Sequence, residues 1–243
     1  MTALAVRNLV KRFGGLTATN DVSFDIAPGQ SVGLIGPNGA GKTTIFSQVM
    51  GELRQSAGTI TLFGNEISGL STPGRIRRGV CRTYQVPRPF HDLTVAENIR
   101  VGLAPNSIWQ LVTRRPDHAR EAEIALGVGL RETDFDRAPT ELSMGDLRKL
   151  EFARTLATGA RVMLLDEVFA GLTVGEIQVV SDLILGLRRD GMTFLMVSHD
   201  LKALEPLVDR VIAIDQGRKI AEGSYREVLD DPDVRASYLG GQG

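Results

Sequence analysis

The chain has 243 residues, enough to bury a substantial core as one large domain or as a domain carrying an inserted lobe. Its 28 basic and 29 acidic side chains leave a formal net charge of −1, which gives no electrostatic ground for a nucleic-acid partner. A single cysteine, Cys81, excludes an internal disulfide and fits a reducing compartment.

Residues Met1 to Arg7 lack both a leading positive region and a sustained apolar run, so no signal peptide is expected. No stretch of about 18 uninterrupted apolar residues offers a membrane span. The first third reads as short strands between glycine and proline turns. Ala3-Leu4-Ala5-Val6 and Val22-Ser23-Phe24-Asp25-Ile26 alternate as strands do, and Gly58 to Gly64 holds a third. Pro28-Gly29 turns the chain into Ser31–Ile35, a short buried strand.

Next comes Gly36-Pro37-Asn38-Gly39-Ala40-Gly41-Lys42-Thr43-Thr44, which fits Gly-x-x-x-x-Gly-Lys-Ser/Thr and leads into a helix start at Thr44–Met50. A strand that delivers a glycine-rich loop to a helix N-terminus aims several N–H groups, and the positive end of the macrodipole, at one point. A polyphosphate is the natural occupant. The glycines permit the close backbone approach, Lys42 would neutralise the β- and γ-phosphates, and the Thr43 hydroxyl would bind Mg²⁺. A mere glycine-rich turn with a solvated lysine would leave both flanks without a reason.

From about Thr94 to Gly159 the pattern turns helical. Thr94 and Glu97 resemble a capping box, Asp117 to Leu126 is rich in helix formers, and Ser143 opens another helix. After Gly159 the strand–helix alternation returns. Val162–Leu165 is an apolar run that ends in Asp166 and Glu167, as expected of a central parallel strand. Ile177, Val180, Ile184 and Leu187 recur at helical spacing, and Gly191 is placed to end that helix. Met192–Val197 is the next strand, Asp215-Gln216-Gly217-Arg218 a hairpin signal, and Ser224 with Glu227 another capping pair.

Acids at the carboxyl end of a core strand sit where open α/β sheets bind ligands. Asp166 would hold Mg²⁺ through its water shell and Glu167 would take a proton from an attacking water. Alone, an acidic pair there is explained by solvation; the upstream loop changes that. His199 follows another core strand and falls on the same edge, which favours a γ-phosphate contact. His91 and His118 have no such setting. Cys81 lies in a predicted strand as a small buried hydrophobe.

Taken together, these residues resemble the ATPase subunit of an ABC transporter over nearly the whole chain. Leu142-Ser143-Met144-Gly145-Asp146 is similar to that family's signature, and the order also agrees: phosphate loop, glutamine loop at Gln85, signature, acidic strand, switch histidine. The resemblance implies an α/β fold, a phosphate-loop NTPase (RecA-like) core with an antiparallel β subdomain (1–86 and 159–243) and an inserted α-helical subdomain (87–158). It implies ATP and Mg²⁺ as ligands. Phe13 would stack on adenine, and Gln85 would link Mg²⁺ or the attacking water to the membrane subunit. Glu167 would be the general base, His199 would clamp the γ-phosphate, and Ser143 and Gly145 would contact ATP bound to a second subunit. A helix that opens at Ser143 supplies the free N–H groups for that last role.

The implied partners are transmembrane permease subunits, a second ATPase subunit placed head-to-tail (identical or paralogous) and, indirectly, a substrate-binding protein. The implied place is the cytoplasmic face of the cell membrane, as a peripheral subunit. Several positions depart from the family's common pattern: Met144 and Asp146 in the signature, Val168 after the acidic pair, Thr173 where an aspartate often links the two sites, and Phe13 for tyrosine. Arg82-Thr83-Tyr84-Gln85, Phe13–Ala18 and Arg148–Arg154 look most like the first ATPase subunit of branched-chain amino acid importers. The rivals are a urea or amide importer, a lipopolysaccharide-extracting ATPase, a soluble ABC ATPase acting on DNA or ribosomes, and an ATP sensor. The single cassette and absence of a cysteine cluster argue against the third, and Glu167 with His199 against the last.

Overall fold

The computed structural model describes residues 1–104 and 117–240. The part of the expected helical stretch at residues 105–116 lies outside them. Two sheets organise the chain. The first is antiparallel, with β1 (Leu4–Phe13) between β2 (Leu16–Ile26) and β4 (Ala57–Leu62), and β5 (Asn65–Glu66) outside β4. The second has six strands in the order β10-β9-β3-β8-β7-β6: Arg218–Gly223, Arg210–Asp215, Ser31–Ile35, Thr193–Val197, Val162–Asp166 and Val80–Arg82. Its strands run parallel except β10, which forms the hairpin expected at Gln216-Gly217.

The period-2 geometry of a strand sends alternate side chains to opposite faces, and β3, β7 and β8 are buried on both. Val162, Leu164, Leu195, Val197, Ile212 and Ile214 point into a core shared with the antiparallel sheet and α1 (Lys42–Met50). Their neighbours Met163, Leu165, Phe194, Met196, Val211 and Ala213 point into the core beneath the helices on the other face. Each strand is therefore wedged between two cores. Leu164, fully buried, would cost about 2–5 kcal/mol if cut to alanine.

The short α2 (Thr72–Ile76) precedes β6. The helices α3 (Val95–Leu103), α4 (His118–Gly127) and α5 (Met144–Ala157) pack on one another. Thr94 closes its capping box with Glu97, Asp117 caps α4 and Ser143 caps α5, as their residue types predict. The core then continues through α6 (Val174–Arg189), the one-turn α7 (Leu201–Leu204), α8 (Tyr225–Asp230) and α9 (Pro232–Gly240). The first two strands run longer than their clean alternation predicts. Register shifts between Val6 and Arg12, and Asn8 at φ 47°, carry the pairing through residues whose polarity breaks the pattern.

Candidate functional site

The sheet edge at the C-terminal ends of β3, β7 and β8 gathers the polar groups. A cavity of about 270 Å³ is lined by Asn38–Thr44, Gln85, Asp166, Glu167 and His199, together with Ala18 and Val197. The phosphate-loop residues, the acidic pair, the histidine and the glutamine thus meet in one place. Phe13 stands outside it, half-exposed at the end of β1 with the Lys11 ammonium 4.9 Å from its ring centroid. Ser143 and Gly145 also lie outside it, at the start of α5.

The loop has its shape for steric reasons. Gly36 sits at φ 149°, where a Cβ would lie 2.0 Å from the Ile214 carbonyl oxygen, and Gly41 at φ 105°, where one would lie 2.6 Å from that of Ala18. No larger residue fits either position without displacing backbone. Gly41 leaves the N-terminus of α1 without a side-chain cap, and no acid occupies its first turn, so its N–H groups remain free for an anion. Lys42 is buried, and its ammonium donates to Gly36 O (2.7 Å) and Pro37 O (2.9 Å). Burial lowers its pKa from the ordinary lysine value, while Glu167 and Asp166 pull it back up.

Glu167 follows β7 in a left-handed conformation, φ 51°, fixed by its N–H donating to Val197 O at 2.9 Å. Its Oε2 accepts the His199 N–H at 3.0 Å. Its Oε1, 3.4 Å from His199 Nε2, is buried and has no hydrogen-bond partner. A carboxylate oxygen left so is an acceptor waiting for a proton donor, which suits a base acting on water. Asp166 Oδ2 accepts from Arg82 at 2.6 Å; Arg82 also donates to Glu52 (2.7 Å) and to Ser47 Oγ (3.1 Å).

A fully buried arginine joins the helices to this edge. Arg148 on α5 donates to Tyr84 O (2.6 Å), to Gln85 O and to Glu151 Oε2 (3.0 Å). Glu151 in turn accepts the Tyr84 N–H at 2.9 Å. The signature helix therefore grips both faces of the backbone that leads into Gln85. At its start, Ser143 Oγ accepts the Asp146 N–H (3.1 Å) and donates to Asp146 Oδ2 (3.0 Å). The Gly145 N–H donates to Glu176 Oε1 at 3.0 Å, and Glu176 closes a capping box with Thr173. Thr173 thus acts through Glu176 on the Gly145 peptide, while Asp146 holds the neighbouring Ser143 hydroxyl.

Sequence reasoning did not find Arg82, Arg148, Glu151 or Glu176. Arg82 had a signal, a charge inside a core strand. Arg148 had a weaker one, a charge on the buried side of α5; Glu176, three residues after Thr173, has only the spacing of an ordinary capping box.

The residues fit a magnesium nucleotide. Lys42 and the open end of α1 suit phosphates, and Thr43 and Asp166 offer the oxygen ligands a hard cation takes. Among the described residues no group of three or more His, Cys, Asp or Glu could hold a metal, so the shell of a magnesium ion would be shared with phosphate and water oxygens.

Comparison with known proteins identifies the family. The family model described as ABC transporter matches residues 19–170. The chain belongs to the ABC transporter family. A second family model, for branched-chain amino acid ATP-binding cassette transporters, matches residues 218–243. The high-affinity branched-chain amino acid transport ATP-binding protein LivG of Salmonella typhimurium is 37% identical, with 98% of this chain and 97% of the relative covered. The lipopolysaccharide export system ATP-binding protein LptB of Escherichia coli is 34% identical, with 99% and 98% covered. Among solved structures, an ATP-binding cassette of an ABC transporter in its ADP conformation superposes with a TM-score of 0.87 at 29% identity, covering 99% of each chain. The α/β fold expected of an ABC ATPase is the fold observed.

Proposed function

We propose that this ABC ATPase powers the import of branched-chain or closely related amino acids. The observation that carries the proposal is the C-terminal segment, residues 218–243, which fits the branched-chain amino acid transporter model; the likeness to LivG, at 37% identity against 34% for LptB, points the same way. Urea and related amides stay as the second cargo class, because nothing in an ATPase subunit touches cargo.

In this proposal residues 1–86 and 159–243 are the catalytic core with its β subdomain, and 87–158 the helical subdomain. Gly36–Thr44 cradle the triphosphate and Phe13 stacks on the adenine. Thr43, Gln85 and Asp166 would hold Mg²⁺, which supplies charge neutralisation at the phosphates. Glu167 takes the proton of the attacking water through its unpartnered Oε1, and the backbone N–H of His199 steadies the other carboxylate oxygen. The His199 ring contacts the γ-phosphate. Ser143 and Gly145 meet the ATP of a second subunit, so two nucleotides lie between two chains placed head-to-tail. Closing and opening of that pair moves attached permeases, served by a substrate-binding protein, at the cytoplasmic face of the cell membrane. No helix among the described residues is long and apolar enough to cross a membrane, which agrees with attachment through partners.

Deleting the gene and measuring uptake of labelled leucine, isoleucine and valine tests the cargo. Uptake should fall and return with the wild-type gene but not with Lys42→Ala; uptake that persists unchanged contradicts the proposal.

A further inference from the structure

The last helix lies against the back of the phosphate loop. Asp231 caps α9, its Oδ1 accepting the N–H groups of Asp233 (2.9 Å) and Val234 (3.3 Å). Val234, fully buried, anchors α9 to the core, and Tyr238, one turn later on the same face, packs half-buried against that core. The Tyr238 hydroxyl accepts the N–H of Gly36 at 2.8 Å.

That N–H needs such a partner. The pairing of β3 with β9 ends at Ile35 and Ala213, one residue before Gly36. The Ile214 carbonyl walls Gly36 on one side, and the Gly36 carbonyl accepts the Lys42 ammonium. The rest of the loop does not lean on α9: a cleft of about 620 Å³ separates Pro37–Ala40 from Asp233, Ala236 and Ser237. Beside this cleft the phenol is a discrete tie between α9 and the first peptide of the loop.

We propose that Tyr238 is a positioning residue for the phosphate cradle, acting through Gly36 and not by touching nucleotide. The phenol fixes the first peptide of the loop from behind while Lys42 exchanges its loop carbonyls for phosphate oxygens. Without it the loop must be ordered by the nucleotide, which weakens binding rather than chemistry. The inference rests on the proposal that Gly36–Thr44 bind nucleotide. It also assigns a task to the C-terminal segment.

Tyr238→Phe deletes the hydroxyl alone. Two readouts test it: exchange of the Gly36 amide in the nucleotide-free protein, and ADP affinity by calorimetry. Amide exchange should quicken, ADP affinity should fall about 2- to 10-fold, the worth of one hydrogen bond, and KM for ATP should rise more than kcat falls. Ser237→Ala removes the neighbouring hydroxyl, which is bonded within α9 to Val234 O at 2.7 Å, and should leave ADP affinity as it was. Equal ADP affinity and equal Gly36 protection in Tyr238→Phe would overturn the inference, as would equal weakening by Ser237→Ala. A lowered melting temperature with neither change would reduce Tyr238 to packing and overturn it too. A wild type that binds no ADP contradicts the nucleotide site itself, whatever the variants do.

Discussion

At the scale of single residues, the site depends on side chains that hold backbone rather than substrate. Arg148 is the strongest case, since its guanidinium fork spans the carbonyls of Tyr84 and Gln85 while keeping Glu151. Arg148→Ala would strand Glu151 in the interior, at about 3–5 kcal/mol, and risks unfolding. Arg148→Lys keeps the charge but not the fork. Its kcat should fall about 10- to 100-fold, the scale of an ångström-level misplacement, with the circular dichroism spectrum unchanged. A wild-type kcat would remove Arg148 from the site's geometry. The phosphate loop and the acidic pair were legible from sequence because each is contiguous and carries its own strand or helix context. Arg148 was not, because its partners lie 63 and 64 positions away.

At the scale of elements, α5 and α6 are latched by Gly145 N–H to Glu176, and Ser143 is occupied by Asp146. In the proposed dimer the γ-phosphate of the partner's ATP competes with these two carboxylates for the same donors. Freeing Gly145 by Glu176→Ala in a Glu167→Gln background should lower the ATP concentration needed for half-maximal dimerisation, read by sedimentation; a higher or unchanged requirement contradicts the competition. The capping residues of α3, α5 and α8 were visible in the sequence, but the Thr173–Glu176 box of α6 was not read and the reach of Glu176 to another helix could not be. A local signal, the Thr173 box, accounts for it fully and hides the second role.

The turn before α5 supplies a pH test. Asp134, fully buried, is held by Arg131 and Arg137, and its pKa is lowered to about 2 against the 3.8 of a free carboxyl. The group is more acidic folded than unfolded, so its contribution is complete above about pH 4 and is lost as pH falls through about 2. The melting-temperature difference between wild type and Asp134→Asn should therefore shrink across that window. A difference that stays constant from pH 5 to pH 2 contradicts it.

At the scale of the whole molecule, the cavity at the sheet edge holds one half of the proposed catalytic site, and Ser143 with Gly145, which do not line that cavity, would present the other half. In the proposed scheme that separation is the physical reason for a pair of chains. The burial of Val162–Leu165 on both faces as a parallel strand followed from its apolar run. The distance between the half-sites did not, because it depends on how the helices rest on the sheet. Ser143→Arg and Lys42→Ala should each abolish turnover, and mixing them should restore about one working site in a mixed dimer. No recovery under conditions that form mixed dimers would argue against shared sites.

The central claim is that Mg-ATP is gripped by the Lys42 cradle and that Glu167 performs the proton transfer. Calorimetric titration of Glu167→Gln with Mg-ATP measures it most directly, because the nucleotide is not consumed. One ATP per chain should bind, with turnover nearly abolished and the sedimenting species doubled in mass. An absence of binding heat, or full turnover in this variant, would contradict it.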